Sequence, residues 1–316
     1  MTQGYRRDEA QNRNHFDFTP KDIDAVVISH AHLDHSGLLP KLVAEGYSGP
    51  IYMTPGTAAL LELMLSDAAS LQERDSEWEN KWRKRAGKPL VEPLYTQADT
   101  DAALALRKPS DYRQETLVAD GISVIFHEAG HILGSAIVEI TLHEAHNLTR
   151  KLVFSGDLGN SCSPFLRPPA YRQEADLLLL ESTYGDRDHR NLDETLAELQ
   201  EILDAAWASG GNAATKIYDR FHQDFKPSEK SRIEGQPKGD LKHWLPILKC
   251  TPTTEESIAI NRIAGGAIII AGSGMCNGGR IVHHFKHNLW RDDCHVILPG
   301  FQAKGTLGRR LVDGEK

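Results

Sequence analysis

Thiols are scarce in this sequence, and none is placed as a pair. Four cysteines, Cys162, Cys250, Cys276 and Cys294, are scattered without any CxxC spacing, which argues against a disulfide-built scaffold and against a thiolate zinc site. A reducing, cytoplasmic setting is the expectation that follows. Long apolar runs are also lacking. The longest, Leu177 to Leu180 and Ala267 to Ala271, fall far short of the roughly 20 residues that cross a bilayer, so no membrane partner is expected. The opening MTQGYRRDEAQNRN is polar and has no apolar centre, unlike a secretory leader. Positive charge is in deficit: 36 Lys and Arg against 44 Asp and Glu leave a net charge of −8. No global field therefore draws the chain onto nucleic acid, and any such site must be local.

Histidine, by contrast, is plentiful at fifteen residues, many of them clustered. Many imidazoles and few thiols favour a histidine and carboxylate metal site. The 316 residues suffice for one large domain or two ordinary ones. In the first half, IDAVVIS (23–29), IYMT (51–54), GISVIF, AIVEITL, KLVFSG and ADLLLLEST read as strands, and SGLLPKLVAEG (36–46) reads as a helix ending at glycine. A helix over 56–72 continues as a charged helix to Gly87. The pattern is mixed α/β. A second module is expected from about Glu181. It opens with an amphipathic helix over 192–209, passes through a polar excursion over 222–242, and closes with a strand, glycine-rich turn and helix in GAIIIAGSGMCNGGRIVHHF and a strand in HVILPGF.

The sharpest chemical signal is SHAHLDHSG, in which His30, His32, Asp34 and His35 form an HxHxDH cluster directly after a strand. Two alternating imidazoles at a strand end can face one ion, and the following turn redirects Asp34 and His35 toward a second. Nitrogen and oxygen donors without sulfur suit zinc or manganese, and two neighbouring ions would share a bridging hydroxide. A second pattern competes. His127-Glu128-Ala129-Gly130-His131 is literally HExxH, the zincin motif, which works only on a helix. Strand-like GISVIF before it and Gly130 and Gly134 within and after it argue against a helix, so His127 reads as a polar neighbour rather than a ligand.

The HxHxDH cluster, GHILGSA with His131 and FSGDLGN with Asp157 follow one another in the order of the metallo-β-lactamase fold superfamily, which this chain resembles. The resemblance implies an αββα sandwich in which His30, His32 and His131 bind one ion and Asp34, His35 and Asp157 serve the other. Glu181-Ser182-Thr183-Tyr184-Gly185 resembles motif A of the β-CASP nucleases. With TEESIAIN, GSGMCNGGRIVHHF and GFQAKGTLGR it looks like the cleavage-and-polyadenylation-factor-like ribonucleases of bacteria and archaea. That resemblance implies a metallo-β-lactamase domain over 1–180 and a β-CASP α/β domain over 181–316. It also implies two Zn2+ or Mn2+ ions, hydrolysis of single-stranded RNA by a metal-activated hydroxide, and catalytic positions at Asp34, Asp157 and Glu181.

Phosphodiester cleavage needs a nucleophile, neutralised charge on the non-bridging oxygens and a proton for the leaving group, and two metals with nearby carboxylates can answer these needs. Glycines 272, 274, 278 and 279 before a helix could turn backbone N–H groups toward a phosphate. Gly274, Gly278, Gly279, Arg280 and His284 are accordingly the candidate RNA contacts. A second basic patch, Lys81, Arg83, Lys84, Arg85 and Lys88 around Trp78 and Trp82, reads first as a solvated helix face and second as an RNA contact.

Set against the resembled family, the chain starts just beyond an early aspartate and lacks a strand, helix and strand after Ser209. It also ends at Lys316, before two histidine motifs, one of which completes the second metal site. A weak second ion and exposed sheet edges that favour a homodimer are the expectations. Two alternatives remain open: a non-catalytic RNA- or partner-binding relative, and another hydrolase of the same fold acting on a lactone, thioester or β-lactam.

Overall fold

The computed structural model describes residues 1, 2, 5, 10–143, 148–161, 166–171, 174–186, 194, 195, 251, 253–263, 269–291, 294, 296–298 and 300–315. The chain divides into two compact units. One comprises Met1, Gln11–Ser182 and Ile217–Gln236, and the other Thr2–Ala10, Thr183–Lys216 and Pro237–Lys316. Of the helix expected over 192–209 only Glu194 and Thr195 are described, both helical, and the polar excursion over 222–242 lies outside the described residues.

The first unit holds two sheets. The smaller is parallel, in the order β1 (Val26–Val27), β2 (Ile51–Met53), β3 (Arg107–Pro109). The larger runs β4 (Glu115–Ala119), β5 (Ile122–Glu128), β6 (Ala136–His143), β7 (Thr149–Phe154), β8 (Leu177–Leu179). It is antiparallel up to β7 and parallel at β7–β8. Alternation explains the packing, because side chains two apart share a face of a strand. Val124, Phe126, Ala136 and Val138 form one buried layer, and Val27 and Tyr52 of the smaller sheet pack onto it. On the opposite face Ile137 and Val153 pack with Ala129 and Leu158. The core thus sits between the sheets, as the sandwich reading requires.

β1 is shorter than IDAVVIS suggests, for a reason that matters to the site. Ile28 N donates to Tyr52 O at 2.9 Å in the smaller sheet, whereas Ser29 O accepts from Ala136 N at 2.8 Å in the larger. The chain crosses from one sheet to the other within two residues and cannot continue either ladder. The histidines follow at once. His32 precedes α1 (Leu33–Ser36), and α2 (Leu39–Ala44) completes the segment read as one helix.

The two helices read over 56–87 are one, α3 (Pro55–Arg85), since no glycine or proline interrupts 57–85. Thr54 caps it by accepting from Thr57 N at 3.2 Å. Arg83, Lys84 and Arg85 close it with charge that complements the helix dipole. α4 (Gln97–Ala105), started by a Thr96/Asp99 capping box, packs against α2 and α3.

In the second unit, α5 (Thr254–Ile260) starts at a Thr253/Glu256 capping box, α6 (Gly279–Asn288) follows the glycine-rich turn, and α7 (Leu307–Val312) starts at Thr306. The turn is tied to the later GFQAKGTLG segment. Gln302 Nε2 donates to Gly274 O at 2.8 Å, Leu307 N to Asn277 Oδ1 at 2.8 Å and Gly308 N to Met275 O at 3.1 Å. The strand expected through Ala267–Ala271 has no ladder among its described residues 269–271.

Candidate metal centre

Three loops converge where β1 leaves the smaller sheet: 28–35, 129–135 after β5, and 155–159 after β7. Each is fastened by side chains that satisfy backbone groups. Ser135 Oγ accepts from His131 N at 3.0 Å and from Ile132 N at 3.2 Å, and Tyr112 OH donates to Ser135 O at 2.9 Å. Thr54 Oγ1 and Thr57 Oγ1 both donate to Gly134 O, at 2.6 and 2.8 Å, which clamps the His131 loop to the start of α3. Gly134 has φ +80°, and a Cβ there would stand 2.6 Å from the Gly56 carbonyl carbon, so only glycine fits. Gly159 meets the same limit, because a Cβ would lie 2.6 Å from His131 N.

The side chains so positioned form a four-donor cage. His30 Nε2 and His131 Nε2 each lie 3.1 Å from His32 Nδ1, and Asp157 Oδ2 stands 3.8 Å from His30 Nε2 and 3.6 Å from His131 Nε2. Four ligands at about 2.0–2.1 Å from a tetrahedral ion are about 3.3 Å apart, so the donor set fits a zinc-sized cation. The other carboxylate oxygen, Asp157 Oδ1, is 3.1 Å from His35 Nε2, which is 3.5 Å from Asp34 Oδ2. Asp34, His35 and Asp157 make a second convergent group, and Asp157 belongs to both.

Electrostatics prepares the cage for a cation. Burial, reinforced by the crowding of His35 and His32, holds His30 down to about 2, and burial likewise lowers His32 and His131. These rings are neutral and offer lone pairs, the form a metal requires. The hydrogen bond from His35 keeps the Asp157 carboxyl down to about 2. For His35, burial opposes protonation but is outweighed by that hydrogen bond and by the charges of Asp34 and Asp157, so the net shift is upward.

Glu181 sits at the end of β8 and is held against the Asp157 loop. Its N–H donates to Ser155 Oγ at 3.0 Å, and its Oε1 accepts from Leu158 N at 3.4 Å. His127, the first histidine of HExxH, lies on β5, and its Nε2 is 3.2 Å from Glu139 Oε2. Lys151 Nζ reaches the other oxygen of Glu139 at 3.0 Å. His127 lies within β5 and His131 three residues beyond its end, so the two are not one helical turn apart and this segment does not have the zincin geometry.

In the second unit the RNA-contact candidates divide. Gly274, Gly278 and Arg280 are exposed, Gly279 takes φ +72°, and Arg280 donates to Thr251 O. His284 is buried, with Nε2 3.3 Å from Ser257 Oγ and Nδ1 3.2 Å from Asn261 Oδ1. It is a strut between α5 and α6, not an exposed contact, because both ring nitrogens meet partners on or just after α5. Sequence reasoning missed Ser135, Thr54, Thr57 and Tyr112, which carry no motif.

Comparison with known proteins agrees with this geometry. Residues 7–209 match the model of the metallo-beta-lactamase superfamily, and residues 183–311 match that of the Beta-Casp domain. Ribonuclease TTHA0252 of Thermus thermophilus is 35% identical over 99% of this chain and 74% of its own length. The transcription termination factors FttA of Methanocaldococcus jannaschii and Methanococcus maripaludis are 29% and 30% identical over 96% of this chain, which spans 52% of each. A solved B3 metallo-beta-lactamase with an active-site glutamic acid superposes on 47% of the chain with 16% identity and a TM-score of 0.28, too low to add to the assignment. The chain belongs to the metallo-beta-lactamase superfamily, and within it to the proteins that carry a Beta-Casp domain.

Proposed function

We propose that this protein is a divalent-metal-dependent ribonuclease that hydrolyses phosphodiester bonds of single-stranded RNA. The observation that carries the reading is the sharing of Asp157 between the cage of His30, His32 and His131 and the pair Asp34 and His35. His30, His32, His131 and Asp157 would hold the first ion, and Asp34, His35 and Asp157 the second, with zinc preferred and manganese the substitute. When bound, such a pair supplies Lewis acidity and lowers the pKa of water in the site.

The protein's own groups do the rest. Neutral His30, His32 and His131 add no positive charge that would repel a cation, and ionised Asp157 balances the charge between the two groups. Asp34, half exposed at 52%, faces the solvent side, where a substrate phosphate would arrive. Glu181, held beside the Asp157 loop by Ser155 and Leu158, is positioned to hold a proton for transfer to the leaving oxygen.

Residues 1–180 would act as the metal-bearing domain and 181–316 as the β-CASP domain, whose Gly274, Gly278, Gly279 and Arg280 would contact the RNA backbone. Ribonuclease TTHA0252, by its name, supports RNA as the substrate, and the FttA relatives support an RNA-linked role. A cytoplasmic location and a homodimer complete the proposal.

The test is cleavage of a labelled single-stranded RNA by the zinc- or manganese-loaded protein and by His32→Ala. Cleavage that collapses in the variant supports the reading. Cleavage at an unchanged rate refutes it, and RNA binding without turnover by the loaded wild type favours a binding-only relative.

A further inference from the structure

The last three turns of α3 carry a feature that the metal centre does not use. At 3.6 residues per turn, Arg74, Trp78, Lys81, Trp82 and Arg85 fall on one stripe of the helix. All five are exposed, the two indoles at 64% and 57%. Their rings lie 6.2 Å apart, edge to face, and the Arg85 guanidinium stands 5.7 Å from the Trp82 ring. The stripe therefore alternates cation, ring, cation, ring, cation over about 16 Å, taking 1.5 Å per residue.

The opposite side of the same helix is covered. Asn80 exchanges two hydrogen bonds of 2.8 Å with Val91, Arg83 donates to Pro89 O at 3.1 Å, and Gln72 Oε1 accepts from Leu94 N at 3.2 Å. The returning segment 89–94 packs there and leaves the tryptophan side open. Asp75, Glu77 and Glu79 lie on the flanks of the stripe, and Glu79 is paired with Arg83 at 2.7 Å.

Trp78 and Trp82 together make a contiguous exposed aromatic patch, the kind of surface that marks an interaction site. In a chain of net charge −8, a local run of three cations is complementary to a polyanion, and the faces of two rings supply stacking surfaces. Proteins that hold single strands without reading their sequence use this combination of aromatic platforms and flanking cations. We infer that Trp78 and Trp82, flanked by Arg74, Lys81 and Arg85, form a stacking platform for unpaired nucleotides of single-stranded RNA. The inference rests on the RNA reading above, but it concerns binding alone and needs no ion.

The test is binding of a fluorescently labelled single-stranded uridine oligonucleotide in the presence of EDTA, which separates it from cleavage. Trp78→Ala/Trp82→Ala weakens binding at least tenfold, and Trp78→Phe/Trp82→Phe retains most of the affinity. Lys81→Ala/Arg85→Ala flattens the slope of log affinity against log salt by about 1.4, at about 0.7 per phosphate contact. All these positions are exposed, and circular dichroism verifies folding. Equal affinity of the wild type and the double alanine variant overturns the platform. So does unchanged RNA affinity with altered sedimentation, which makes the stripe a protein contact. A protein that binds through the stripe yet cleaves nothing refutes only the catalytic reading.

Discussion

Asp157 places one carboxylate oxygen 3.1 Å from His35 Nε2 and the other 3.6 Å from His131 Nε2. A single side chain on the loop after β7 therefore joins His35 and His131, which stand almost a hundred residues apart in the sequence. Because it serves both, its loss is predicted to exceed that of an outer partner, which typically costs about 10–100-fold in metal affinity or activity. Asp157→Asn should lower metal content below that of either half-site variant and reduce RNA hydrolysis more than a hundredfold. Elemental analysis and single-turnover kinetics check this.

Gly134 ties the His131 loop to the start of α3, since its carbonyl accepts from both Thr54 and Thr57. An alanine there is strained at φ +80° and meets Gly56. Strain of this kind costs about 1–3 kcal/mol. Gly134→Ala is expected to melt several degrees lower than the wild type without metal and to bind its first ion more weakly. An unchanged Tm would show that the clamp yields freely.

Burial, aided by the charges of His283, Arg280 and His287, lowers the pKa of His284. The unfolded chain takes up a proton at the ordinary histidine value of about 6.5, which the folded strut refuses. Stability contributed by this group is therefore constant above that pH and falls as pH drops from about 6.5 toward the depressed value. Urea midpoints between pH 7.5 and 5 should fall more steeply for the wild type than for His284→Gln. Equal slopes would contradict the strut.

The legible parts of the molecule were those whose chemistry is written locally. Four of the ligand candidates stand within six residues, and His131 and Asp157 are flanked by glycines that mark tight loops. The HExxH pattern could be set aside because its flanks alternate like strands, and His127 does lie on β5. α4 was overlooked although Thr96 and Asp99 spell a capping box. β3 and β4 are short, and β3 is polar, so neither stands out by hydrophobic period. β1 shrank because its end is shared between sheets, a tertiary fact with no sequence sign. The burial of His284 has no sign in the sequence, because its partners Ser257 and Asn261 lie on or just after another element, α5. The serine and threonine clamps around Gly134 were invisible, since their partners lie up to 80 residues away.

Metal content per chain tests the central claim most directly. The purified 316-residue protein, loaded with zinc or manganese and then freed of loose ions, should carry about two divalent ions per chain by elemental analysis, and His32→Ala should carry one or none. A wild type that retains no ion, or a variant that retains as many as the wild type, would contradict the assignment of these residues as a metal centre.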